Sequence, residues 1–149
     1  MQWPARLQPV RGTLLGLLPE GSELWLDGGH NAHGAAALAV ALQQMNDKRP
    51  MPLRLIMGLM NTRKPADFLA PFAGMVEHVY ALAIPGEPNA HPAAEIVSQA
   101  HAAGFAATAE RSILNALEAA AQGGPARIIF AGSLYLAGHV LHQNGTPPT

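Results

Sequence analysis

The sequence predicts an α/β domain, a Rossmann-like three-layer sandwich with a mostly parallel sheet and helices on both faces. Two observations and one rule of chain topology carry that expectation. Short apolar segments alternate along the chain with longer alanine-rich helical ones. The apolar segments show little polar alternation, which fits strands covered on both faces. Right-handed crossovers between such units then wind the chain to both sides of the sheet.

Residues 24–28 read as the first buried strand, followed by a helix over 33–45 that Asn46-Asp47-Lys48-Arg49-Pro50 breaks. Residues 53–58 form a second strand, and 65–72 a helix with Pro65 suited to its first turn. The third strand lies within 76–84. A loop over 85–92 follows, and Pro92 opens a helix that ends at Gly104. Residues 105–108 read as a short strand and 112–122 as a helix with Ser112 as a candidate cap. Gly123-Gly124-Pro125 turns into the strand 127–131, and Gly132-Ser133 leads into a last helix over 135–142. The first 20 residues fit this rhythm less well; Val10, or Leu14 to Leu18, reads as an extra edge strand or a short helix. The expected organisation is an entry segment and linker over 1–22, a core over 23–143 and a frayed tail over 144–149.

A chain of 149 residues, 49% hydrophobic, is long enough for one real core. Its net charge of −1 gives no basic footprint for nucleic acid. The absence of cysteine excludes disulfides and thiolate metal sites. No apolar run approaches the roughly 20 residues that span a bilayer, and Met1-Gln2-Trp3-Pro4-Ala5-Arg6 lacks the apolar core of a signal peptide. The expectation is a cytoplasmic protein with neither a membrane nor a nucleic acid as partner.

The stretch Leu24-Trp25-Leu26-Asp27-Gly28-Gly29-His30-Asn31-Ala32-His33-Gly34 is the most informative. It sets an acid, an imidazole and an amide in the turn between a strand's carboxyl end and a helix start, where open α/β sheets bind ligands. Helix-start amides there also favour anions. Asp27 can accept from a ribose or an adenine amine, or simply satisfy nearby backbone amides. His30 can stack on a base or donate to phosphate, or be a turn histidine. Asn31 reads equally as a helix cap. His30 and His33 are three residues apart, but no third ligand is placed by sequence, and the seven histidines form no zinc pattern.

Other candidates are weighed the same way. Arg6, flanked by Trp3 and Pro4, can grip phosphate bidentately or sit solvated. In Gly58-Leu59-Met60-Asn61-Thr62-Arg63-Lys64-Pro65 the two cations reach the same sheet edge and face either an anion or water. Ser133 in Gly132-Ser133-Leu134-Tyr135-Leu136-Ala137-Gly138 either helps hold a carboxylate or phosphate or caps the last helix; no G-x-S-x-G elbow marks it as a nucleophile. His91 reads as a loop histidine rather than a base. Neither G-x-x-x-x-G-K-[ST] nor G-x-G-x-x-G occurs, which disfavours a self-contained P-loop ATPase or NAD enzyme.

Four of these stretches together resemble one family. Trp3-Pro4-Ala5-Arg6-Leu7-Gln8 looks like the W-P-G-R-L-Q element of the folylpolyglutamate synthase/dihydrofolate synthase family. Leu26-Asp27-Gly28-Gly29-His30-Asn31 resembles its L-D-G-A-H-N motif, Gly58 to Lys64 its G-M-x-x-x-K-D loop, and Ala131 to Gly138 its G-S-L-Y-L element. They occur in the family's order and cover nearly the whole chain. Ala5 replaces the usual glycine, Ala32 a common proline and Pro65 a common acid, and roughly eight extra residues lie between Arg6 and Asp27.

The resemblance implies the Rossmann-like C-terminal domain of a Mur-ligase-type, ATP-dependent amide ligase, without its larger N-terminal ATPase domain. It implies that Arg6 reaches the ATP phosphates, that Asp27 and His30 contact the nucleotide, that Asn31 holds the turn, and that Ser133 lies near the incoming L-glutamate. The acceptor would be dihydropteroate or a reduced folate. The P-loop lysine and the magnesium ligands would come from the ATPase domain, so this chain alone is expected to bind nucleotide weakly, to hold no metal and to catalyse nothing. The alternatives are the C-terminal domain of another Mur-type ligase, or a stand-alone nucleotide-binding or interaction module.

Overall fold

A computed structural model describes residues 7–29 and 31–145. Its centre is a six-stranded sheet: β1 (Gln8–Pro9), β2 (Glu23–Leu26), β3 (Leu53–Met57), β4 (His78–Ala81), β5 (Ala107–Ala109) and β6 (Arg127–Ala131). The spatial order is β1-β2-β6-β3-β4-β5. All neighbours are parallel except β1, which runs antiparallel along β2. The helices are α1 (Ala32–Lys48), α2 (Pro65–Leu69), α3 (Ala93–Ala102), α4 (Ile113–Ala120) and α5 (Leu134–Gln143).

Strand alternation sorts the core into two layers. Leu55, Met57, Val79, Ala81 and Ile129 point to the face covered by α1, α2 and α3. Leu24, Leu26, Ile56, Ile128 and Phe130 point to the face covered by α4 and α5. Every residue of β3 and β6 is buried, as expected of central parallel strands. The chain leaves β2, crosses to β3, runs outward through β4 and β5, and returns to place β6 between β2 and β3.

The polar ends of β3 and β6 are buried too. Arg127, which opens β6, is 2% exposed. Its Nε donates to Glu23 Oε1 at 2.6 Å and its Nη2 to the Arg49 carbonyl at 3.1 Å. Arg54 Nε donates to Glu77 Oε1 at 2.7 Å, and its Nη1 to the Ala120 and Gln122 carbonyls, each at 2.7 Å. The planar guanidinium suits this role because it spreads several donors over carbonyls that arrive from different directions. Both arginines therefore staple the edge where the parallel strands begin.

Several boundaries differ from expectation. The first 20 residues supply both an edge strand, β1, and a short 3-10 helix, Leu15–Leu17, with Val10 and Leu14 buried. Helix α1 runs through Asn46-Asp47-Lys48, since polar residues on an exposed face do not break a helix; it stops at Arg49, which Pro50 holds at φ −143° and ψ 90°. The helix expected over 65–72 is α2 followed by a 3-10 turn, Ala70–Phe72, because Pro71 has no N–H for the next α-helical bond. The strand expected over 105–108 is Ala107–Ala109. The tail is not frayed at its start. Asn144 is 4% exposed, accepts from the Leu14 N–H at 2.9 Å and donates to the Arg11 carbonyl at 2.7 Å.

Candidate functional site

The strands β2, β6, β3 and β4 all end at one edge of the sheet, and the chemistry collects there. After β3 the chain turns to the face of α2; after the adjacent β6 it turns to the opposite face, into α5. Such a divergence opens a crevice at the carboxyl ends of the strands. The two exits touch. Gly132 has φ +115°, and a Cβ there would run into the Gly58 carbonyl oxygen. Gly58 in turn leaves no room, with Ile84 Cγ1 2.9 Å and the Leu82 oxygen 3.0 Å from where a Cβ would sit.

Asp27 extends the line of β2 by one residue, its N–H donating to the Phe130 carbonyl at 2.9 Å. Its side chain is nearly buried, and Oδ2 accepts the Gly29 N–H at 2.9 Å. Asn31 is the N-cap of α1: its Oδ1 accepts from the Gly34 N–H at 2.8 Å, and its carbonyl from Ala35 at 2.9 Å. Gly29 packs against the first turn of α1, where a Cβ on Gly34 would come within 3.3 Å of Gly29 Cα.

Beside that turn lies a cleft of about 230 Å³ between Asn31-Ala32 and Thr62-Arg63-Lys64, with Asp67 and Phe68 completing its lining. Arg63 and Lys64 are exposed. Three ion pairs form among the described residues, all at the opposite edge of the sheet, and none uses either cation. The start of a 17-residue helix and two unpaired cations therefore face one cleft, an arrangement that favours an anion. The loop 58–64 and the turn at Asn31 come together as expected. Asp67 and Phe68 were not expected, because neither stands in a motif; Pro65, which marks the start of α2, is the only local hint.

Ser133 is 2% exposed and caps α5, its Oγ accepting from Tyr135 N–H at 3.0 Å and Leu136 N–H at 3.5 Å. Arg6 and His30 lie outside the described residues, as does the Trp3-Pro4-Ala5 element. Among the described residues no group of three or more His, Asp or Glu side chains is arranged to hold a metal ion. No helix among them is long and apolar enough to cross a membrane.

Fold and site thus define a doubly wound α/β domain with a cleft lined by two cations at the carboxyl edge of its sheet. Residues 17–143 match the family model described as dihydrofolate synthetase, C-terminal domain, and the chain belongs to that family. It is 30% identical over 143 residues to the folylpolyglutamate synthase of Lacticaseibacillus casei, covering 93% of this chain but only 29% of that protein. Folylpolyglutamate synthase of Thermotoga maritima superposes on 86% of the chain with a TM-score of 0.70 at 26% identity, over 29% of its own length. That of Mycobacterium tuberculosis, complexed with ADP and AMPPCP, covers the whole chain with a TM-score of 0.77 at 19% identity, over 34% of its length. The bifunctional folylpolyglutamate synthase/dihydrofolate synthase of Yersinia pestis, complexed with AMPPNP and a Mn ion, gives 0.75 at 23% identity, over 95% of this chain and 31% of its own. The chain therefore spans about a third of the relatives it matches, and the last two likenesses speak to the fold alone.

Proposed function

We propose that this chain supplies the C-terminal side of the active site of an ATP-dependent amide ligase that joins L-glutamate to dihydropteroate or a reduced folate. The observation that carries the reading is the cleft at the end of β2, where Asn31 and the start of α1 face Arg63 and Lys64 in a chain of the dihydrofolate synthetase family. In this reading Asp27 accepts from the nucleotide's ribose or adenine, and His30 and Arg6 meet the nucleotide and its phosphates. Ser133 Oγ already accepts two amide N–H groups, so what it offers the glutamate carboxylate is its O–H as donor.

The reaction transfers the γ-phosphoryl group of ATP to the substrate carboxylate, giving ADP and an acyl phosphate. The glutamate amine attacks the acyl carbon, the amide forms, and phosphate leaves as the amine loses its proton. The domain's share is positioning and charge neutralisation. In this reading, magnesium and the phosphate-cradling lysine are supplied by the ATPase domain of the same polypeptide, as the family resemblance implies, and the enzyme works in the cytoplasm. Domain closure over ATP completes the site.

The test is Asp27→Ala in the full-length enzyme, read as steady-state kinetics. The expected outcome is a sharply raised KM for ATP with glutamate KM little changed. Unchanged ATP dependence would refute the nucleotide role. Multiple-turnover ligation by the isolated chain would refute its dependence on a second domain.

A further inference from the structure

Within the loop that carries Arg63 and Lys64 one backbone bond forms, from the Arg63 N–H to the Met60 carbonyl at 3.0 Å, and the remaining anchors come from outside it. Lys64 is the N-cap of α2 but offers only donors, and no side-chain cap forms there. The neighbouring β4–α3 segment takes over. Gln99 on α3 accepts the Ala66 N–H at 3.2 Å and is itself held by Glu95 at 2.9 Å. Upstream, Asn61 N–H donates to the Asn89 carbonyl at 2.7 Å and His91 N–H to the Leu59 carbonyl at 2.8 Å, around an antiparallel bridge between Met60 and Ala90. The His91 ring closes the clamp, its Nε2 lying 2.6 Å from the Arg63 carbonyl oxygen. A carbonyl only accepts, so Nε2 carries the proton.

We propose that His91 is a positioning residue for the anion cleft, acting through Arg63, with Gln99 as the second anchor. This rests on the reading of the cleft as an anion site. Two long, exposed cations bind an anion well only if their backbone is already fixed; otherwise the ordering entropy is charged to binding. His91 fixes the carbonyl of Arg63, and Gln99 fixes the first turn after Lys64. Between those two points the chain has little freedom, and both cations stay beside the start of α1. Freeing about one residue of backbone weakens anion binding roughly tenfold.

The test uses the ¹⁵N-labelled 149-residue chain, with pyrophosphate and L-glutamate as separate probes. Saturable shifts of the Arg63, Lys64 and Ala32 amides are expected, and the probe that produces them identifies phosphate or carboxylate as the preferred anion. His91→Ala is expected to loosen that binding roughly tenfold and to raise the fast backbone mobility of residues 61–64. His91→Gln, whose Nε2–H reaches the same carbonyl, restores both; His91→Asn, which is shorter, restores neither. Wild-type affinity and an ordered loop in His91→Ala would overturn the proposal. Equal behaviour of the Gln and Asn variants would also overturn it, since ring packing rather than the Nε2–H bond would then be at work. A wild-type chain with no saturable response to either probe sinks the anion reading instead, and loop mobility in the three variants then decides the positioning role by itself.

Discussion

Gly132→Ala is expected to be the most damaging methyl group that can be added near the site. The residue sits at φ +115°, where a side chain is strained, at about 1–3 kcal/mol. The new Cβ would also meet the Gly58 carbonyl oxygen, with Leu59 Cδ2 at 3.1 Å and Gly58 C at 3.3 Å. Because the contact is with backbone, relief requires the ends of β3 and β6 to part. Overpacking of this kind adds about 1–3 kcal/mol. The sum, about 2–6 kcal/mol, is a large share of the roughly 5–15 kcal/mol that holds a typical domain. Urea unfolding should show a midpoint lower by about 1–3 M at unchanged slope. Gly138, six residues on in the same motif, is the internal control. It lies inside α5 with nothing within 4 Å of a built Cβ, so Gly138→Ala should stabilise by about 0.5–1 kcal/mol. The same substitution thus carries opposite signs within one motif. A Gly132→Ala variant as stable as wild type, or a Gly138→Ala variant equally damaged, would refute the reasoning.

Two further predictions concern the parts that hold the edge in place. The hydrogen bond from Arg127 is the main influence that lowers the Glu23 carboxyl below its ordinary value of 4.5, with Trp25 and the charges of Arg127 and Arg49 adding to it against desolvation. A depressed carboxylate contributes stability that is full above pH 4.5 and is lost as pH falls through the folded value. Glu23→Gln should therefore flatten the acid limb of stability against pH, and at neutral pH cost about 2–4 kcal/mol, below a fully buried pair because Glu23 is partly solvated. Asn144→Ala removes both bonds to the Arg11–Leu14 turn and should cost about 1–3 kcal/mol; amide exchange at Leu14 should quicken while Asp27 and the cleft keep their exchange rates.

What was legible in the sequence was local. The turn at 27–31 could be read because strand end, acid, glycines and cap are contiguous, and the Asn31 cap reaches only to Gly34. The same holds for Ser112 and Ser133, each capping within three residues. What was not legible was long-range. Arg127 opened a strand and gave no sign that it would be buried on Glu23, 104 residues away. Asn144 stood in a Gly-Thr-Pro-Pro tail and reads as frayed, yet its partners lie 130 and 133 residues upstream. His91 looked like any loop histidine because its acceptor, the Arg63 carbonyl, is a backbone atom that no motif encodes. The resemblance to a family located the motifs but not these braces, because side chains that bond to distant main chain leave no spacing pattern.

The two edges of the sheet divide the work, and the division has a physical cause. Where the parallel strands begin, Arg54 and Arg127 are sunk into carbonyls and carboxylates, each cation spent on the fold. Where they end, Arg63 and Lys64 stay exposed beside the start of α1, which Asn31 caps. Strands of five residues hold these edges roughly 17 Å apart, beyond the Debye length of about 8 Å at physiological salt. A charge that stabilises one edge is therefore screened from the other across solvent. Stability can be concentrated at the first edge without neutralising the cations needed at the second. The edges are also linked mechanically: β3 carries Arg54 near its start and leads directly into Gly58 and the cation loop, and β6 opens with Arg127 and leads directly into Gly132. The two strands meet in the close contact of Gly58 with Gly132, where both glycines and the residues on either side of them are buried, so a side chain added at either glycine has no solvent to turn into.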